Sequence, residues 1–208
     1  MAFIKSNPTA PAAHDERRRA PRDFAGLVAE LDDEDPLARR WAARDLVSHP
    51  QASAALVARL RIETDVAVQE FILTSLTQLG DETAVAGLID CLRSEEAQLR
   101  NAAIEAMKAL PNEVAPIMSD LLRDADPDVR ILAVNVLESL RHPKVEQWLI
   151  EVIDRDLMVN VCGSAVDLLG EVGSQAARDA LGRLKVRYEA EPYIQFAVDL
   201  ALKRIAAT

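Results

Sequence analysis

Asp126-Pro127-Asp128-Val129-Arg130-Ile131-Leu132-Ala133-Val134-Asn135-Val136-Leu137-Glu138-Ser139-Leu140 is a helix written in full, and the rest of the chain can be read outward from it. Asp126 suits the N-cap and Pro127 the first helical position. Apolar residues at 129, 132, 133, 136, 137 and 140 follow the i, i+3, i+4, i+7 rule of one buried stripe. The pattern recurs in Asp35-Pro36-Leu37-Ala38-Arg39-Arg40-Trp41-Ala42-Ala43-Arg44-Asp45-Leu46 and again in Leu99-Arg100-Asn101-Ala102-Ala103-Ile104-Glu105-Ala106-Met107.

Between these copies a unit of about 31 residues repeats, a period that marks stacked helical pairs. The units run 23–49, 50–80, 81–110, 111–142, 143–173 and 174–206. Each reads as a shorter helix A, a turn rich in acid or Pro, and a longer helix B. Pro50, Asp81, Asn112, Pro143 and Ser174 are expected to open the A helices, and Gly80 and Gly173 to end helices in the left-handed conformation. Asp35, Asp65, Glu96, Asp126 and Asp156 stand where each B helix needs a cap.

Superposing the B helices separates their columns. Column 129 holds Ala38, Val68, Leu99, Val129, Val161 and Tyr193; column 133 holds Ala42, Ile72, Ala103, Ala133, Ala165 and Ala197; column 137 holds Leu46, Leu76, Met107, Leu137, Leu169 and Ala201. One amphipathic pair cannot bury such a stripe alone, so its neighbours must stack.

Composition agrees. Half of the 208 residues are apolar, 4% are aromatic and seven are Gly, which favours helices of Ala, Leu, Val and Ile. Lys5, Arg17, Arg18, Arg19 and Arg22 against Asp15 and Glu16 give residues 1–22 a charge of +3, leaving −13 of the net −10 on residues 23–208. Residues 1–22, with Pro8, Pro11 and Pro21 and no apolar period, read as a disordered basic arm. Residues 23–208 read as one repeat domain. So acidic a body is a poor partner for nucleic-acid phosphate. No apolar run approaches the roughly 20 residues of a membrane span, and residues 1–21 lack the apolar core of a secretory signal. Cys91 and Cys162 are isolated, without metal or disulfide spacing. A cytosolic protein is expected.

The turn and B-helix residues resemble the HEAT family of α-helical repeats, and the short unit is most similar to the HEAT-like repeats of phycobilisome lyases. The likeness covers about residues 23–206. It implies a right-handed α-solenoid of about six helical hairpins, an all-α fold. It also implies a ladder between turn acids and B-helix arginines, here Arg39, Arg100 and Arg130, interrupted at Gln69, Cys162 and Ile194. In such solenoids the B helices line the concave face. On that face column 131 presents Arg40, Glu70, Asn101, Ile131, Gly163 and Gln195. Column 135 presents Arg44, Thr74, Glu105, Asn135, Asp167 and Asp199, and column 138 includes Lys108 and Glu138. Gly163 and Gly170 would leave a shallow pocket or mark tolerated exposed sites.

Catalytic constellations are not legible. His49 and His142 sit at B-helix ends beside Pro50 and Pro143, where the dipole favours them. Asp124-Ala125-Asp126-Pro127-Asp128 has Val129 and Asn135 where a calcium loop needs Gly and Glu. Cys91, Cys162 and Ser164 have no readable base. Trp41 and Phe71 read as core knobs, and Trp148 as packed between layers. The resulting expectation is a non-enzymatic adaptor or scaffold, with neither cofactor nor metal. Arg40, Arg44, Glu70, Thr74, Asn101, Glu105, Lys108, Asn135, Glu138, Asp167 and Asp199 would bind a protein partner, and the chain would serve as a regulatory subunit in a bacterial signalling cluster. The resemblance implies an alternative, a lyase or chaperone for a bilin. Whatever the task, the core is common: Leu137→Ala is expected to cost roughly 2–5 kcal/mol in urea unfolding.

Overall fold

A computed structural model of the chain describes residues 23–140 and 142–207. The basic arm expected over 1–22 lies outside them. Six helical hairpins follow one another: α1 (Phe24–Glu30) with α2 (Pro36–Asp45), α3 (Ser53–Leu60) with α4 (Val66–Leu79), and α5 (Glu82–Cys91) with α6 (Ala97–Lys108). The fourth pairs a broken A helix, α7 (Pro111–Val114) and α8 (Met118–Leu121), with α9 (Pro127–Leu137). Then come α10 (Val145–Arg155) with α11 (Val159–Val172), and α12 (Arg178–Arg187) with α13 (Pro192–Ala207). The break in the fourth unit has a local cause. Pro116 lacks the N–H that a continuous helix would donate, so Ala115–Ile117 tightens to a 3-10 turn.

The B helices stack in chain order, α2 on α4, α4 on α6, α6 on α9, α9 on α11 and α11 on α13. One continuous set of buried side chains runs from Leu27 to Ile205. Columns 133 and 137 are buried in all six units. Column 129 slips in the last: Tyr193 is exposed and Ile194 takes the buried place. A helices open later than expected in two units, at Ser53 and Val145. Gly80 has φ +60° and ends α4 in the left-handed region. Gly173 does not; its backbone is extended, and a Cβ there would lie 2.3 Å from the Leu169 carbonyl oxygen. Close approach is what requires glycine at 173.

One turn recurs. Two residues before the B-helix cap in each of the first five units, a side chain accepts from the cap N–H: Asp33 from Asp35 at 2.8 Å, Glu63 from Asp65 at 2.9 Å, and Ser94 from Glu96 at 3.1 Å. Asp124 does the same for Asp126 at 3.0 Å and Asp156 for Met158 at 2.9 Å. Asp156 is therefore not the cap of α11, as expected, but belongs two residues earlier; Met158 occupies the cap. A second bond closes each turn from inside the helix. Arg39 donates to the Asp33 carbonyl at 2.9 Å, Gln69 to Glu63 at 2.9 Å, and Arg100 to Ser94 at 2.7 Å. Arg130 donates to Asp124 at 2.8 Å, and the Cys162 thiol to Asp156 at 3.4 Å.

The expected ladder exists at two interfaces, with its acids in this earlier column. Arg39 grips Glu63 through two bonds of 2.8 and 2.9 Å, and Arg130 grips Asp156 through bonds of 2.6 and 3.0 Å. Arg100 has no carboxylate at ion-pair distance among the described residues, and a cleft of about 510 Å³ opens beside it between the third and fourth units. In the fifth, Arg187 from the following A helix reaches the Ile153 and Asp156 carbonyls at 2.6 and 3.0 Å. An outer ladder joins successive A helices through Arg61–Asp90, Arg93–Asp124, Arg123–Glu151 and Arg183–Asp154. These pairs are exposed, so each contributes little alone.

Glu63 is the most constrained carboxylate. Burial works to raise its pKa, but bonds from Arg39, the Asp65 amide, Arg59 and the Thr64 amide outweigh it and hold the group at about 2 against an ordinary 4.5. A folded pKa below the unfolded one means the pair stabilises the fold above pH 4.5 and loses that contribution as pH falls towards 2. Glu63→Gln leaves Arg39 buried without its counter-charge and should cost about 3 kcal/mol at pH 7. The deficit relative to wild type should shrink in urea melts run at progressively lower pH between 4.5 and 2.

Candidate functional site

The exposed B-helix face carries the residues picked out by their column positions. Column 135 is exposed throughout, at Arg44, Thr74, Glu105, Asn135, Asp167 and Asp199. Glu70, Asn101 and Glu138 are also exposed, and Arg40 and Lys108 are half-buried. Their spacing along α2, α4, α6, α9, α11 and α13 follows from the buried columns beside them, which fix each helix's rotation.

The structure gathers these residues into three groups. At the first end, Arg40 and Arg44 lie one turn apart on α2 with Trp41 between them. The Arg40 guanidinium sits 4.7 Å from the Phe71 ring centre, and the Arg44 guanidinium 4.3 Å from that of Trp41. The two rings meet edge to face at 6.3 Å. Arg44 also pairs with Asp45 at 2.5 Å. The Arg40 Nε is buried without a hydrogen-bond partner among the described residues. In the middle, Lys108 bridges Glu105 at 3.2 Å and Glu138 at 3.6 Å, tying α6 to α9. Towards the other end, Asn135, Glu138 and Asp167 line a groove of about 230 Å³ between α9 and α11, with Glu171 beside them. Thr74 spends its hydroxyl on the Glu70 carbonyl at 2.8 Å, and Asp199 pairs with Lys185. Asn101 joins none of these groups.

Two expectations for this face need correction. Gly163 and Gly170 are buried and leave no pocket. A Cβ on Gly163 would stand 2.5 Å from the Tyr193 ring, and one on Gly170 would stand 3.3 Å from the Ala201 backbone. The missing side chains admit α13. Tyr193 then donates to Asp167 at 3.3 Å, and its pKa is raised, first by burial and then by that carboxylate. Trp41 and Phe71 are not fully buried knobs. They are half-buried, and the same column holds Phe196, which is 69% exposed. The signal was present in the sequence, since column 132 carries aromatics flanked by arginines in column 131 and column 135 of the first unit.

Elsewhere the chemistry is quiet. Cys91 is buried and its thiol pushed up to about 11, chiefly by burial and then by Asp90; burial likewise raises Cys162. Both are protonated near neutrality and poor nucleophiles. His142 stacks on Trp148 at 5.0 Å, and Trp148 is buried between A helices and donates to Ser119 at 3.1 Å. His49 lies against Phe24. Among the described residues no group of three or more His, Cys, Asp or Glu could hold a metal ion, and no helix is long and apolar enough to cross a membrane.

Comparison with known proteins supplies the family. The family model for HEAT repeats matches residues 24–108 and 114–205. The chain belongs to the HEAT-repeat family. Two relatives of this HEAT-repeat protein carry the name bilin biosynthesis protein PecE. The one from Mastigocladus laminosus is 32% identical over 152 residues, covering 71% of this chain and 56% of its own length. That from Nostoc sp. (strain PCC 7120 / SAG 25.82 / UTEX 2576) is 42% identical over 74 residues, covering 35% of this chain and 29% of its own length. The chain thus spans about half the length of the first and less of the second. Among solved structures, the Drosophila melanogaster Mini spindles TOG3 domain superposes with a TM-score of 0.58 at 17% identity, over 86% of this chain and 93% of that one, and it speaks for the fold alone. The expectation of a non-enzymatic signalling adaptor is overturned by the two relatives, whose names concern bilins. The resemblance to the repeats of phycobilisome lyases stands.

The seating of Tyr193 over Gly163 can be tested directly. Gly163→Ala should displace the ring, break its bond to Asp167 and cost about 1–3 kcal/mol in urea unfolding, the range for an overpacked contact.

Proposed function

We propose that this HEAT-repeat protein acts in bilin biosynthesis as a lyase subunit or chaperone, holding a linear tetrapyrrole on its B-helix face. The observation that carries this reading is the 32% identity over 152 residues to a bilin biosynthesis protein, a match that covers 71% of this chain. The face suits the ligand class. A bilin is an extended, conjugated, apolar molecule with two carboxylates, and the half-buried column of Trp41 and Phe71 is bordered by cations and hydrogen-bonding side chains. Its role is to bind and orient. Cys91 and Cys162, buried and protonated, are not suited to attack the bilin. A protein partner would share the exposed column 135, and free buried thiols suit work in the cytosol.

Mixing the purified protein with biliverdin should shift and sharpen the pigment's visible absorbance and induce circular dichroism in it. Saturation is expected at micromolar concentration, equivalent to about −8 kcal/mol. Spectra that remain those of free pigment at a large excess of protein would refute the reading.

A further inference from the structure

The cluster at the first end of the face has a feature the fold does not explain. Arg40 is half-buried, its Nε has no hydrogen-bond partner, and no carboxylate lies at ion-pair distance from it among the described residues. A guanidinium held this way forgoes part of its hydration for the face of one ring, Phe71. Elsewhere on the chain, the buried Arg39 and the half-buried Arg130 each take a carboxylate and turn carbonyls, and the half-buried Arg100 takes two carbonyls. Arg44, one turn on, spreads over Trp41 and, among the described residues, has the adjacent Asp45 as its counter-charge. Two planar cations and two aromatic rings therefore form one partly dry platform on a body that is otherwise acidic.

From this geometry we infer that Arg40 and Arg44 are the carboxylate-binding residues of the bilin site, held in place by the Phe71 and Trp41 rings beneath them. The inference rests on the bilin reading above and adds its location. An arginine fork takes a carboxylate through two parallel bonds; the Arg40 Nε is buried, so those bonds come from the terminal nitrogens, with the face of Phe71 fixing the plane of the fork. The surrounding negative charge repels a second anion from other parts of the face, so the propionates are directed to this end.

The test compares biliverdin with its dimethyl ester, which keeps the conjugated rings and removes both charges. Absorbance titrations of the full chain should show wild type binding the acid about tenfold or more tightly than the ester, the scale of a charge-assisted bond. Arg40→Gln with Arg44→Gln should abolish that preference while ester binding stays close to wild type. Arg44→Gln alone, an exposed change, should remove part of it, and far-ultraviolet circular dichroism reports that each variant is folded. If wild type binds biliverdin and the double variant keeps the full preference for the acid, the site lies elsewhere on the face and the bilin reading survives. If wild type perturbs the spectrum of neither pigment, both fall.

Discussion

A pair of hydrogen bonds in the turn before each of the first five B helices is the constraint from which the rest of the architecture follows. One bond satisfies the cap amide; the other, from a side chain at 39, 69, 100, 130 or 162, closes the turn from within the helix. Backbone polar groups in a turn wedged between neighbours need partners, because burial without them is costly. With both bonds made, the angle between A and B helices is set repeatedly. Columns 133 and 137 then meet their counterparts in the next unit. The chemistry varies but the geometry is kept: arginine, glutamine and cysteine all reach the carbonyl six residues back.

Much of this was legible because helical period and cap chemistry are local. Six hairpins, their approximate bounds and the two always-buried columns follow from spacing alone. The failures share a different character, since each depends on what a neighbouring unit contributes. Asp156 looked like a cap, yet the fifth A helix runs on to Arg155 and its turn shortens to residues 156–158, which puts Met158 at the cap and Asp156 two residues before it. Gly163 looked like empty surface, and only the position of α13 shows that Tyr193 fills it. Pro116 breaks the fourth A helix, a local signal that the periodicity overshadowed. The outer ladder of arginines and acids also escaped notice, because its partners are about one unit apart and join only when the helices are stacked.

On the B-helix face, exposure was legible and grouping was not. Columns predict which side chains reach solvent. They do not predict that Lys108 binds two glutamates across α6 and α9, or that arginines of the first unit lie over rings. The face is consequently polar in its middle, cationic and aromatic at one end, and acidic around Glu138, Asp167 and Glu171.

The buried pairs Arg39–Glu63 and Arg130–Asp156 fasten the first unit to the second and the fourth to the fifth. Between the third and fourth, Arg100 holds only its own turn, and an open cleft stands where a carboxylate could have closed the ladder. Solenoid stability is summed from nearest-neighbour interfaces, so the units need not be fastened alike. At this junction the buried columns and the pairs Arg93–Asp124 and Lys108–Glu138 do the fastening, and its electrostatic share lies open to screening by salt where the two buried rungs do not.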